Sequence, residues 1–360
     1  AGELDRPIVP IITYGHPSEV STGGPWLRFD NAWDMTIDPR DFVNAFDMGM
    51  DSHRWHGEAF PMFYTQRFGP GVLAAFLGCT PRATPETVWF EPPRKDIPIE
   101  ELHFEFDDNN PYYRRIANLY EAAMEKWHGS VVIGMTDLGG IMDIVASLRG
   151  TENLLYDLYD YPDEVYNFTK EVRREVQVAY NKQVETIRGL DLPFITWMNI
   201  PSEKPWYPMQ CDFCYMISPT QFEKFVLPDL VDQASYIERP VYHLDGQGEL
   251  PHLDMILDIP GLSGIQWNPG AGKEPLCDEK WFDIYKKIQD KGKNLILLWA
   301  LDEKLEDKLD ESQVEYTVNH INKIIEKYAK DSKVFFSLIP DKHCVASKAN
   351  AYPAVFAKTK

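Results

Sequence analysis

A histidine and an aspartate two residues apart, His243 and Asp245, close the apolar run Pro240-Val241-Tyr242 and give way to the turn Gly246-Gln247-Gly248. Residues i and i+2 of a β-strand share a face, so this spacing offers an imidazole nitrogen and a carboxylate oxygen to one side. Such a pair can ligate a metal, move a proton, or only lock a turn. A second run, Leu262 to Trp267, stops in the same way at Gln266 and Trp267, before Asn268-Pro269-Gly270. Asp137 follows the apolar segment Ser130 to Met135 and precedes Leu138-Gly139-Gly140. It either lines the same site or caps the next helix. His53 and His56, in His53-Arg54-Trp55-His56, concentrate ring nitrogens suited to a metal or a substrate. Asp212 lies inside Cys211-Asp212-Phe213-Cys214, a lone CxxC that reads as packed thiols because no second pair accompanies it. Trp26, Trp33, Trp55, Trp206 and Trp267 fall near expected loops or strand ends. Beside the acidic groups, they would suit a cationic methyl donor such as a quaternary amine.

The elements that must hold these residues alternate. Helices are expected at Gly71 to Leu77, Tyr112 to Trp127, Glu152 to Tyr159 and Pro162 to Ile187, the last with proline in its first turn. Another opens at Ser218, with Gln221 at the capping-box position. Three more are expected at His252 to Leu257, Trp281 to Gln289 and Gln313 to Ala329. Strands are expected at Ser130 to Met135, Phe194 to Asn199, Val241, Ile265, Asn294 to Trp299 and Val334 to Leu338. Early strand units near Ile8 to Ile12 and Phe46 to Met50 bring the count to about eight, the number for one (β/α)8 barrel. An open doubly wound sheet has no Gly-x-Gly-x-x-Gly to support it. Polar residues spilling from several strand ends on one face is how such a barrel builds its site. The first 110 residues, irregular and rich in Pro, Gly and aromatics, are expected to close over the cleft.

With 360 residues, 44% of them hydrophobic, the chain can bury a large core. A net charge of −20 lacks the electrostatic footprint of a nucleic-acid binder. No apolar run is long enough to span a bilayer. Five irregularly spaced cysteines suggest a reducing, cytoplasmic setting. The start at Ala1-Gly2-Glu3 shows no signal-peptide pattern and reads as trimmed.

Several stretches resemble the uroporphyrinogen decarboxylase superfamily: Val132 to Gly140, Ser147-Leu148-Arg149-Gly150, Ile217 to Phe222 and on through Pro228, His243 to Gly246, and Gly264-Ile265-Gln266-Trp267. The resemblance runs from about Gly69 to Leu338 and implies a TIM barrel with a strand-end cleft. It implies one of two activities, a decarboxylation without cofactor or a zinc-dependent methyl transfer among corrinoids, thiols and folates. For the decarboxylase it implies N-terminal arginines that hold propionates, yet Thr22 to Asn31 supplies only Arg28. The implied tyrosine falls near Ala146, the implied serine near Asp212, and the last strand reads Phe335-Phe336-Ser337-Leu338 where Leu-Gly-His-Gly is implied. A cleft lined by Asp137, Asp212 and Asp245 would also repel an octa-anionic porphyrinogen. For the methyltransferases the resemblance implies zinc held by a His-x-Cys and a later Cys. His243 stands at that histidine, Asp245 at the first cysteine, and Cys344, or His343 beside it, is the candidate third ligand. A carboxylate in place of a thiolate hardens the site without abolishing zinc.

The expectation is a single domain over 1–360, with an irregular part at 1–110 and a regular strand-helix part at 111–345. Its expected function is a metal-activated methyl transfer of the corrinoid or thiol type. His243, Asp245 and Asp212 would be catalytic, and His243, Asp245 and Cys344 would hold zinc. Asp137, Asn199, Gln266, Trp267, His53 and His56 would contact substrate. The alternatives are a metal-independent decarboxylase, with Asp212 or His243 as proton donor, and a non-catalytic corrinoid- or tetrapyrrole-binding protein. Expected partners are a small-molecule substrate, a corrinoid or corrinoid protein, and a second copy in a homodimer. No nucleotide cofactor, nucleic acid or membrane is expected.

Overall fold

The computed structural model describes residues 10–13, 29–51, 53–63, 68–84, 87–94, 97–270, 272–274, 276, 278–300, 319, 322, 326 and 334–339. The N-terminal part carries β1 (Pro10–Thr13), α1 (Phe29–Ala32), α2 (Pro39–Met50), β2 (Arg54–Gly57), β3 (Met62–Phe63), α3 (Leu73–Phe76), β4 (Thr80–Ala83) and β5 (Val88–Glu91). Next come α4 (Pro111–Trp127), β6 (Val132–Ile133), α5 (Ile141–Arg149), α6 (Thr151–Asp160), α7 (Pro162–Arg188) and β7 (Trp206–Met209). The chain continues through α8 (Pro219–Phe225), α9 (Leu227–Tyr236), β8 (Arg239–Asp245), α10 (Leu253–Leu257), β9 (Gly264–Asn268), α11 (Phe282–Asp290), β10 (Asn294–Ala300) and β11 (Val334–Ile339).

Helix starts follow local chemistry. Asn110 accepts from the amides of Tyr112 and Tyr113 to open α4. Ser218 and Gln221 form the expected reciprocal capping box at α8. Pro162 sits in the first turn of α7.

The main sheet has the order β2-β1-β11-β10-β9-β8-β7, parallel throughout except for β1 with β2. β3 and β6 form a separate parallel pair, and β4 and β5 an antiparallel hairpin. Val241, Ile265, Leu297 and Phe335 lie on four neighbouring parallel strands, but of the two others expected beside them Val132 is in the separate β3–β6 pair and Ile195 in no strand. The fold is mixed α/β with helical crossovers. The two sheets do not close on one another among the described residues, so the expected closed barrel is not shown.

Three expectations need correction. Phe46 to Met50 belongs to a helix. Asp38 accepts from the Arg40 amide, Pro39 follows at the first position, and Phe42, Val43, Phe46 and Met50 recur at helical spacing. Phe46 meets Phe63 and Trp127 edge-on, at 5.0 and 6.1 Å between ring centroids. Phe194 to Asn199 is not a strand but an isolated bridge, Phe194 to Ser202, followed by a turn. The turn closes where the Asn199 amide reaches the Thr196 carbonyl at 3.0 Å, with Asn199 at φ 58°. β7 went unread because Pro208 interrupts it. As the last strand of its sheet, β7 has an unpaired side on which a missing N–H breaks no ladder bond.

Of the helix expected over Gln313 to Ala329, only Asn319, Asn322 and Glu326 are described, and all three are helical. No described helix is long and apolar enough to cross a membrane.

Candidate functional site

At the end of β8 the burial pattern changes. Tyr242 and Leu244 are buried on one face of β8, whereas Val241, His243 and Asp245 share the other, with Val241 buried and His243 and Asp245 half-buried toward the strand end. The parallel register then sets their neighbours, with His243 beside Gln266 and Asp245 beside Asn268 of β9. Each cross-strand pair is hydrogen-bonded. His243 Nδ1 bonds Gln266 Oε1, and Asn268 Nδ2 donates to Asp245 Oδ1 at 2.6 Å. Gln266 is itself oriented, because its Nε2 donates to the Trp267 carbonyl at 2.9 Å and thereby turns Oε1 toward the imidazole. An amide oxygen only accepts, so His243 Nδ1 donates to Gln266, and in the neutral ring the lone pair then lies on Nε2. His243 Nε2 stands 3.8 Å from Asp245 Oδ2, too far for a hydrogen bond. The pair is therefore not a direct turn lock.

Asp212 completes the group. It opens a short 3-10 turn, Asp212–Met216, just after β7. Asp143 in the first turn of α5 fixes that turn, its Oδ2 accepting from the Asp212 amide at 3.1 Å and its Oδ1 from the Phe213 amide at 2.7 Å. Gly140 permits this approach, because a Cβ there would collide with the Gln210 carbonyl and the Asp143 carboxylate. Asp212, His243 and Asp245 each offer one ligand atom, and these three atoms lie within 4.8 Å of one another.

The surrounding electrostatics are acidic. Burial raises the Asp137 carboxyl to about 6, and Asp212 adds to the rise, against the hydrogen bond from Gly139 and the pull of His243. Asp137 Oδ1 accepts from the Gly139 amide at 3.0 Å, the Tyr207 hydroxyl at 3.3 Å and Gln210 Nε2 at 3.5 Å. Burial and then Asp212 push Asp143 up to about 7. Asp212 is exposed at its edge, yet crowding by the cleft wall still raises its carboxyl. His243 opposes that rise and Asp245 adds to it.

Beside Asp212 opens a cavity of about 420 Å³, lined in part by residues of β5 and α5.

The structure thus brings together His243, Asp245, Asp212 and Gln266, with Asp137 in electrostatic reach. Trp267 is a correction. Side chains alternate across β9, so Trp267 turns away from Gln266 and packs fully buried against Trp281, ring centroids 5.3 Å apart. Asn199 is buried in the 196–199 turn, and its neighbour Trp197 presents its ring at 84° to His243, centroids 5.0 Å apart. His53 bonds the Gly49 carbonyl at 2.8 Å and stacks on Trp55, contacts that tie it to its own loop. The side chain of His56, and Cys344 with His343, lie outside the described residues. Cys211 and Cys214 are buried and free, and burial pushes the Cys211 thiol up, as suits packed thiols.

Sequence reasoning missed Asp143, Trp197, Tyr207 and Gln210. A carboxylate one turn into a helix after Gly139-Gly140 was a weak signal for Asp143, and nothing local marked the others.

No family model matches the chain, and no curated protein matches it. Among solved structures it is similar to a methyltransferase from Methanosarcina mazei, with a TM-score of 0.62 at 15% identity. The match covers 96% of this chain and 94% of the other. At that identity the likeness is one of fold, and the chain shares its fold with a methyltransferase.

Proposed function

We propose that the chain is a methyltransferase of the uroporphyrinogen decarboxylase-like kind. It would be built as a (β/α)8 barrel and hold a divalent ion, zinc foremost, through Asp212, His243 and Asp245. The observation that carries this reading is the convergence of one imidazole nitrogen and two carboxylate oxygens within 4.8 Å at the strand ends. The fold shared with a methyltransferase supports the reaction class. The donor set fits a metal on two counts. The Nε2 lone pair is freed by a fixed tautomer, with Gln266 as the outer partner that ligating histidines commonly have. The 3.8 Å between Nε2 and Oδ2 is a few tenths of an ångström wider than the roughly 3.4 Å that two bonds of 2.0–2.1 Å subtend at a tetrahedral ion.

A bound zinc ion would supply Lewis acidity and favour the thiolate form of a methyl-accepting thiol. The residues of the chain divide the remaining work. Gln266 orients His243, Asn268 holds Asp245, and Asp143 anchors the turn that presents Asp212. With its carboxyl near 6, Asp137 can exchange a proton close to neutral pH beside the site. A corrinoid protein is the proposed methyl-carrying partner, and Asp212 takes the third-ligand role expected of Cys344.

Metal analysis tests this. Wild type should bind one zinc per chain, and Asp212→Ala, His243→Ala and Asp245→Ala should each lower it while the circular dichroism spectrum stays unchanged. Asp245→Cys should retain or raise zinc by restoring a softer ligand. If none of the alanine variants loses metal, the site assignment is wrong. A second reading, a metal-independent lyase, draws on the protonatable Asp137 carboxyl. Turnover that survives chelators would favour it.

A further inference from the structure

The cavity beside Asp212 has a one-sided chemistry. Its described lining contains two ionisable side chains, Asp143 and Asp212, and no Lys, Arg or His. The rest of the wall is largely apolar and aromatic, with Trp89 and Phe90 at β5 and Phe213 and Met216 of the 3-10 turn all in the lining. Trp89 is 70% exposed and Met216 48%, so large apolar side chains stand open to solvent at this cavity. At about 420 Å³ the space falls within the roughly 300–1,000 Å³ of small-molecule sites.

We propose that this cavity binds a small organic cation, a quaternary or tertiary ammonium, with its charge against Asp143 and Asp212 and its hydrocarbon against Trp89, Phe90 and Phe213. Carboxylates at an apolar wall with no cation to balance them are costly, and a ligand cation relieves that cost. A divalent ion offsetting Asp212 and Asp245 would still leave the Asp143 carboxyl in the lining. The apolar wall also selects among cations. A primary ammonium would lose water that these side chains cannot replace. An alkylated ammonium has few or no N–H groups to satisfy, and aromatic faces attract it directly.

Binding of this cation does not depend on the methyltransferase reading. The test is calorimetry on the full chain, with and without zinc. The probes are choline, benzyltrimethylammonium and 3,3-dimethylbutan-1-ol, the last being the neutral carbon isostere of choline. Both cations should bind, and choline should bind at least tenfold tighter than the isostere, a gap of about 1.4 kcal/mol. Trp89→Ala should weaken cation binding several-fold. Ser147→Lys, which puts a fixed positive charge on the cavity wall, should abolish it. Neither variant should change zinc content or thermal midpoint. The proposal is overturned if the alcohol binds as well as choline, if neither cation binds at millimolar concentration, or if both variants bind cations like wild type. Zinc binding without cation selectivity would sink this inference alone. Cation binding with no zinc site would sink the metal reading and leave this one standing.

Discussion

Replacing Gln266 with Met isolates the step on which the metal reading depends. Gln266 is 2% exposed and makes two hydrogen bonds, accepting from His243 Nδ1 and donating to the Trp267 carbonyl. Methionine keeps the length and roughly the volume of the side chain but can do neither. Each bond contributes about 1 kcal/mol net, and stranding the imidazole N–H in a half-buried position adds to the loss. The metal-free protein should therefore lose about 2–3 kcal/mol of stability, read by urea unfolding. The larger consequence is for His243. Without the amide oxygen nothing selects the Nδ1–H tautomer or the ring orientation, and loss of such an outer partner costs about 10–100-fold in metal affinity. That is about 1.4–2.7 kcal/mol, measurable by competition for zinc against a chromophoric chelator. Gln266→Glu separates the two bonds, because its carboxylate still accepts from Nδ1 but cannot donate to the Trp267 carbonyl, and it should hold zinc more tightly than Gln266→Met. A folded Gln266→Met protein with wild-type zinc affinity would show that His243 does not bind metal through Nε2.

The pH dependence of stability should carry a mark of Asp137. Its folded carboxyl, near 6, lies above the ordinary aspartate value of about 3.9, so the ionised form is penalised above pH 6 and the penalty fades as pH falls toward 4. In metal-free protein Asp137→Asn, which keeps an acceptor oxygen, should raise stability above pH 7 by on the order of 3 kcal/mol and flatten the slope between about pH 4 and 6. Equal urea midpoints for the two proteins at pH 8 would refute this. Gly140→Ala should cost about 1–3 kcal/mol or more, because a Cβ there meets the Gln210 carbonyl and Asp143. It should also lower zinc content by displacing Asp212, so a variant of wild-type stability and metal content would contradict the packing described. Uroporphyrinogen should be decarboxylated negligibly, since its carboxylates would meet Asp137, Asp212 and Asp245. Coproporphyrinogen formation at an ordinary enzymatic rate would overturn that expectation.

The strand at Val241 and the side-chain pair at its end were legible in the sequence, because a two-residue period and a glycine stop are local properties of the chain. The same held for the capped helices, where Ser218 and Gln221 satisfy one another's backbone groups within four residues. The period also contained a warning about Trp267 that the sequence reading passed over, since adjacent strand residues cannot both face one cleft. At Phe46, where apolar spacing fits a helix and a short apolar run resembles a strand, the Asp38-Pro39 start should have decided for the helix. Other features were not encoded locally at all. Asp212 joins His243 and Asp245 only because β7 lies next to β8 and because Asp143, 69 residues earlier, anchors its amide. The choice of Gln266 and Asn268 as partners depends on the register of β8 on β9, which no short segment specifies. The cavity at Asp212 needs β5 and α5 brought together with the 210–216 segment, an arrangement set by how the sheets and helices pack. Periodicity and capping are energies of neighbours along the chain, whereas register, cavities and carboxylate clusters are energies of neighbours in space.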